Sequence, residues 1–136
     1  MQLRAFHLAC GTLGLVLFLL SGQYMDRFHA HLVGMADGPR LLFRSSHIYL
    51  LWSSLLNVLL GCYLAPVLGR IWRYTQAAAS IAVMLGPFLL VASFLVESSA
   101  TDMARPIARA AIYFAFGGTI AHAVIVFVMR LRTERT

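Results

Sequence analysis

The sequence predicts an all-α fold: an integral membrane, antiparallel bundle of four transmembrane helices. The chain is 60% hydrophobic and 12% charged, whereas an ordinary soluble domain has roughly 25% charged residues. Its apolar residues also form four runs, each near the ~20 residues that a helix needs to cross a hydrocarbon core. We therefore expect a single four-span membrane domain over residues 1–136, with spans at about 3–22, 41–64, 75–96 and 107–130.

The runs should be helices because a segment that crosses lipid must satisfy its backbone polar groups internally. Short connectors then make neighbouring helices antiparallel. The first run follows Arg4, as in a signal peptide, but "FLLSGQ" is a poor cleavage site, so we interpret it as a span. Before the second run, Asp37-Gly38-Pro39 predicts the turn that reverses the chain, and Pro39 suits the first turn of the second helix. Gly86-Pro87 predicts a kink in the third helix.

Small and polar residues recur in every span at steps of three and four, which places them on one helix face. Small residues let the backbones of membrane helices approach closely. Each such face is therefore a predicted packing surface, within the bundle or against a further subunit. The four faces carry, in chain order, His7, Gly11, Gly14, Phe18 and Ser21; His47, Ser54, Asn57 and Gly61; Gln76, Ala79, Val83, Gly86, Leu90, Ser93 and Glu97; and Ala104, Ala108, Ala111, Ala115, Gly118 and His122.

Histidines inside a span mark a candidate functional site, since a polar side chain at that depth usually faces the bundle interior. His7 and His122 are such residues. They could be axial ligands of a b-type haem between the first and last helices, or ordinary hydrogen-bond partners across helices. Asn57 and Glu97 are the other intramembrane polar residues, which could line a pathway or bond neighbouring helices.

A second candidate site lies in the stretch from Arg27 to Trp52. Its histidines could bind a transition metal together with nearby carboxylates, if the first helix ends before them. If the helix continues through "DRFHAH", the His-x-His spacing loses its meaning, because residues two apart point to different sides. A network of carboxylates, imidazoles and arginines, or a pH-sensing role, are the other interpretations. The candidate ligands are His29, His31, His47, Asp26 and Asp37.

The net charge of +6 does not indicate nucleic-acid binding, because the arginines lie one to three at a time beside span ends, where they can reach lipid headgroups. No common catalytic motif occurs in the sequence. The leading hypothesis is a non-catalytic subunit or accessory protein that forms a homo-oligomer or joins a larger membrane complex, and whose outward polar zone binds a partner, a metal or protons. The alternatives are a b-type haem- or metal-bearing electron carrier, a metal-dependent membrane enzyme subunit, and a small oligomeric transporter.

The distribution of arginine predicts the orientation. With four spans, six arginines lie on the side of the termini and five on the other side. Because cytoplasmic loops carry the excess of basic residues, we expect both termini in the cytoplasm of a bacterial cell, with the protein in the inner membrane.

Overall fold

The structure, a computed structural model, describes residues 2–99 and 103–133. These residues form four long helices, and the all-α prediction is confirmed. The helices are α1 (Gln2–His29), α2 (Asp37–Tyr63), α3 (Arg70–Val96) and α4 (Pro106–Thr133).

Three helical segments are long and apolar enough to cross a membrane: Gln2–Leu32, Arg70–Val96 and Pro106–Arg132. Large apolar side chains, such as Phe6 and Phe127, lie exposed on the outside of these helices, as contact with lipid requires. These features indicate an integral membrane protein. The helix α2 is not among the three, and it carries arginines and several serines in addition to its leucines.

The helices pack as two pairs, α1 with α2 and α3 with α4. The two pairs are joined mainly by contacts of α2 with α3 and, to a smaller extent, of α1 with α3. Glycines allow the close approach. A Cβ atom on Gly11 would lie 2.7 Å from the Val58 backbone nitrogen, and one on Gly118 would lie 2.6 Å from the Ala79 carbonyl oxygen. Most positions of the predicted packing faces are buried, whereas Phe18 and His47 are half-buried and the prediction was wrong for Ala104, which is exposed. The buried positions are His7, Gly11, Gly14, Ser21, Ser54, Asn57, Gly61, Gln76, Ala79, Val83, Gly86, Leu90, Ser93, Glu97, Ala108, Ala111, Ala115, Gly118 and His122.

The connector between α1 and α2 differs from the prediction. Helix α1 continues to His29 and ends in a short 3₁₀ segment, Ala30–Leu32, in which all three residues have left-handed backbone angles. The chain reverses there and in residues 33–36. The prediction of a turn at Asp37-Gly38-Pro39 was wrong, because Asp37 already begins α2, although Pro39 does lie in its first turn.

Helix α3 runs through Pro87 without interruption. In the middle of the bundle, Leu50, Leu90 and Ala111 form a fully buried apolar cluster. Two buried polar groups of side chains lie on opposite sides of this cluster along the helices. One contains His7 and His122, and the other contains Glu97 and Arg105.

Candidate intramembrane histidine site

Each of the four helices contributes one side chain to a buried polar site. It consists of His7 on α1, Asn57 on α2, Ser80 on α3 and His122 on α4, and we call it the His7–His122 site. His7 is 0% exposed and His122 is 5% exposed. The two imidazole rings meet edge-on, with 6.1 Å between their centroids and 71° between their planes. The site therefore lies in the interior of the bundle and is made by all of its helices.

Asn57 fixes the proton on His7. The Asn57 amide nitrogen donates to the carbonyl oxygens of Ser53, at 3.0 Å, and Val83, at 3.1 Å. Its Oδ1 is then the acceptor that faces His7 Nδ1 at 2.8 Å, so Nδ1 carries the proton and donates. In the neutral imidazole the other nitrogen, Nε2, keeps a free lone pair. Asn57 thus orients His7 and leaves Nε2 available as a ligand.

His122 is hydrogen-bonded through its Nε2 atom to α3. Its Nε2 and the Ser80 hydroxyl are hydrogen-bonded at 3.1 Å, with either atom as the donor. Within the described parts of the chain, His122 Nδ1 and His7 Nε2 are both buried without a hydrogen-bond partner. A buried polar atom that lacks a partner costs about 1–3 kcal/mol. Two such atoms therefore lie on adjacent rings of the His7–His122 site.

The ring separation of 6.1 Å lies in the range of an ordinary edge-on ring contact, and it is also compatible with a shared metal ion. An imidazole nitrogen lies about 1.1 Å from its ring centroid, and a bound metal lies about 2.0 Å further out. Two rings on opposite sides of one ion therefore have centroids roughly 6 Å apart, compared with the observed 6.1 Å. Histidines that bind metals also donate their second nitrogen to an oxygen, which fixes the ring. The bond from His7 to Asn57 has this form.

The proximity of His7 and His122, whose rings are neighbours, agrees with the hypothesis that they share one ligand between the first and last helices. Their role as cofactor ligands stays a prediction. A haem would have to insert its macrocycle between these rings, where Asn57 already bridges α2 and α3 and Val83 is 0% exposed. The packing at this level suits a small ion better than a macrocycle.

A second group of polar side chains lies at the opposite end of the bundle. It consists of Glu97, Arg105 and the serines bonded to Arg105, and we call it the Glu97–Arg105 cluster. The Glu97 carboxylate accepts hydrogen bonds from the backbone nitrogens of Ile107, at 2.6 Å, and Ala108, at 3.0 Å. It thereby caps the N-terminus of α4, where the helix dipole favours a negative charge. The Arg105 guanidinium donates to the hydroxyl oxygens of Ser45, Ser46 and Ser93. The cluster therefore ties α2, α3 and α4 together.

The surroundings of Glu97 keep it ionised. Burial by itself raises the pKa of this carboxyl group. The hydrogen bond to Ser93, the two backbone donors of α4 and the charge of Arg105 together outweigh burial, and the pKa lies below its ordinary value. These contacts give Glu97 a structural role at the junction of α3 and α4.

The predicted outward ligands are placed in separate contacts. His31 Nε2 lies 2.7 Å from Asp26, and Asp37 pairs with Arg40. His29 packs its ring against Phe43. His47 bonds Ser21 through Nδ1 at 2.8 Å and stacks on Phe18. Among the described residues, no three histidine, cysteine, aspartate or glutamate side chains are grouped so that they could hold a metal ion.

Ser80 and Arg105 are among the residues of these sites that were not anticipated. Ser80 lies on the buried face of α3, four residues after Gln76 and three before Val83, so its spacing was a signal that could have found it. Arg105 lies in the connector before α4, and only the presence of Glu97 at the other end of that connector hinted at a pairing. Comparisons of the sequence with protein-family models and curated proteins, and of the structure with solved structures, found no match.

Proposed function

We propose that this protein is a membrane-embedded metal-binding protein, in which His7 and His122 together ligate one transition-metal centre inside the bundle. The observation that carries the proposal is the hydrogen bonding of the two imidazole rings. Each ring is held by one hydrogen bond, to Asn57 or Ser80, while its other nitrogen is buried without a partner in the described structure. Imidazole nitrogen is a common ligand of zinc, copper, iron and nickel.

The proposal includes four antiparallel spans. Helix α2 has 27 residues, which at about 1.5 Å per residue gives roughly 40 Å, enough to cross the hydrocarbon core. Its serines and Asn57 are buried against other helices, so they do not expose polar groups to lipid. Contacts between early residues of one helix and late residues of the next support the antiparallel order. These are Leu8 with Gly61, Ser21 with His47, Asn57 with Val83, and Ser80 with His122.

The arginine distribution supports an orientation with both termini in the cytoplasm of a bacterial inner membrane. His7 and His122 then lie in the half of the membrane nearer the cytoplasm. Association with another copy or with a larger membrane subunit is a further part of the proposal, supported by the apolar helix faces that the bundle leaves exposed.

Metal analysis of the purified full-length protein tests this function. We expect about one metal ion per chain in the wild type, because His7 and His122 would both be imidazole ligands of the same ion. His7→Leu and His122→Leu should each lose it. His31→Ala is the matched control, since it removes a histidine whose side chain is 77% exposed.

The absorption spectrum of the same samples identifies the kind of metal centre. A Soret band that disappears in His7→Leu would mean that the iron of a haem occupies the site. A metal content that is equal in the wild type and in both variants, or is zero in all of them, would refute the proposed function.

A further inference from the structure

We infer that the metal bound at the His7–His122 site is monovalent copper, Cu(I). This inference rests on the proposed function, because it names the ion for the same site. Three properties of the site lead to it: the number of ligands, the charge of their surroundings and the packing of the helices that carry them.

The first property is the number of ligands. In residues 2–99 and 103–133, no group of three or more histidine, cysteine or carboxylate side chains could hold an ion. Zn²⁺ is almost always bound by four ligands in structural sites and by three protein ligands in catalytic sites. Mg²⁺ and Ca²⁺ require six or more oxygen ligands. Imidazole is a ligand of copper, and Cu(I) can be held by two nitrogen ligands, so His7 and His122 are enough for it.

The second property is the charge of the surroundings. The hydrogen-bond partners of the two imidazoles are an amide, Asn57, and a hydroxyl, Ser80, and both are neutral. The cost of transferring an ion into a medium of low dielectric constant grows with the square of its charge, so a divalent ion costs about four times as much as a monovalent one. Without a carboxylate or thiolate bonded to the rings, the site favours an ion of charge +1.

The third property is the packing around the rings. Glycine contacts hold α1 against α2 and α4 against α3, and a Cβ atom at Gly11 or Gly118 would already collide with backbone atoms. Cu(II) prefers four nitrogen or oxygen ligands in a tetragonal arrangement, and helices packed this closely leave little room to admit them. Copper would therefore remain monovalent here. The site would hold or pass on the ion without an electron-transfer step, unlike an electron carrier.

The test is a titration of the full-length protein in detergent with Cu(I), under anaerobic reducing conditions and against a coloured Cu(I) chelator. Cys10 and Cys62 are free thiols and would also bind Cu(I), so the titration uses the Cys10→Ser/Cys62→Ser background. We expect one Cu(I) per chain. His7→Leu should weaken binding by about 100-fold or more, since it removes one of two ligands, whereas removal of an outer partner costs about 10- to 100-fold. His31→Ala should bind as tightly as the background protein.

The variant His122→Met is a control for loss of Cu(I) binding that is caused by misfolding. A thioether is a soft ligand that suits Cu(I), so this variant should retain Cu(I) binding, and a roughly 100-fold excess of Zn²⁺ should not displace the copper. Displacement by Zn²⁺, loss of Cu(I) binding in a folded His122→Met variant, or unchanged Cu(I) binding in His7→Leu would overturn the assignment of Cu(I). Retention of zinc or haem instead of copper would leave the proposed function standing, whereas a protein that binds no metal at all would end both.

Discussion

Replacing Gly118 with alanine is expected to destabilise the bundle, by about 1–3 kcal/mol if the cost is that of overpacking a well-packed core. The added Cβ would lie 2.6 Å from the Ala79 carbonyl oxygen and 3.2 Å from the Val83 backbone nitrogen. These are backbone atoms of α3, so they cannot move aside as the end of a flexible side chain can. The helices would have to separate, which also pulls His122 away from Ser80. Unfolding of the protein in mixed micelles of a mild and a denaturing detergent measures the loss.

Gly117→Ala is the matched control. It makes the same chemical change one position earlier on the same helix, where a Cβ would meet no atom within 4 Å. Alanine is a better helix former than glycine by about 1 kcal/mol, so this variant should be as stable as the wild type or slightly more stable. Equal destabilisation by the two substitutions would show that helix flexibility, and not close packing of α3 and α4, is what the glycines provide.

Replacing Glu97 with glutamine is expected to destabilise the protein by about 1–3 kcal/mol and to remove a pH dependence. Glutamine keeps one acceptor oxygen, so one of the Ile107 and Ala108 backbone nitrogens loses its partner, and Arg105 loses its counter-charge. The pKa of Glu97 in the folded protein lies below its ordinary value of 4.5. Its contribution to stability is therefore complete above pH 4.5 and is lost as the pH falls through the lower folded-state value.

The measurement is the free energy of unfolding of wild type and Glu97→Gln between neutral pH and pH 3. The wild type should lose stability in the acidic range, and the variant should lose less. Asp37→Asn serves as a control, because it removes a carboxylate whose side chain is 91% exposed. If the two carboxylate variants behave alike, Glu97 does not cap α4 in the way described.

The sequence predicted the inner face of each helix well, since burial follows the 3.6-residue period. His7, Gly11 and Gly14 are buried as expected, and so are Ala111 and Ala115. Periodicity does not specify which helices face each other or at what height. The bonds from His7 to Asn57 and from His122 to Ser80 depend on that register, so they could not be derived from one sequence.

The connector between α1 and α2 shows a second limit. Glycine and proline near Asp37 suggested a turn there, but the chain turns at Ala30, His31 and Leu32, which have left-handed angles although none of them is glycine. The intrinsic preferences of non-glycine residues disfavour this conformation, so the residue types Ala30, His31 and Leu32 do not predict it. The helix also continues to His29, so His29 and His31 do not form the extended pair that a shared metal ion requires.

The central claim is that His7 and His122 ligate one metal ion in the interior of the bundle. X-ray absorption spectroscopy of the copper-loaded, cysteine-free protein tests it most directly, because it counts and identifies the atoms bound to the metal. We predict two imidazole nitrogens at about 2.0 Å and no sulfur, and the signal should vanish in His7→Leu. A metal without imidazole nitrogen ligands, or a spectrum that His7→Leu leaves unchanged, would contradict the claim.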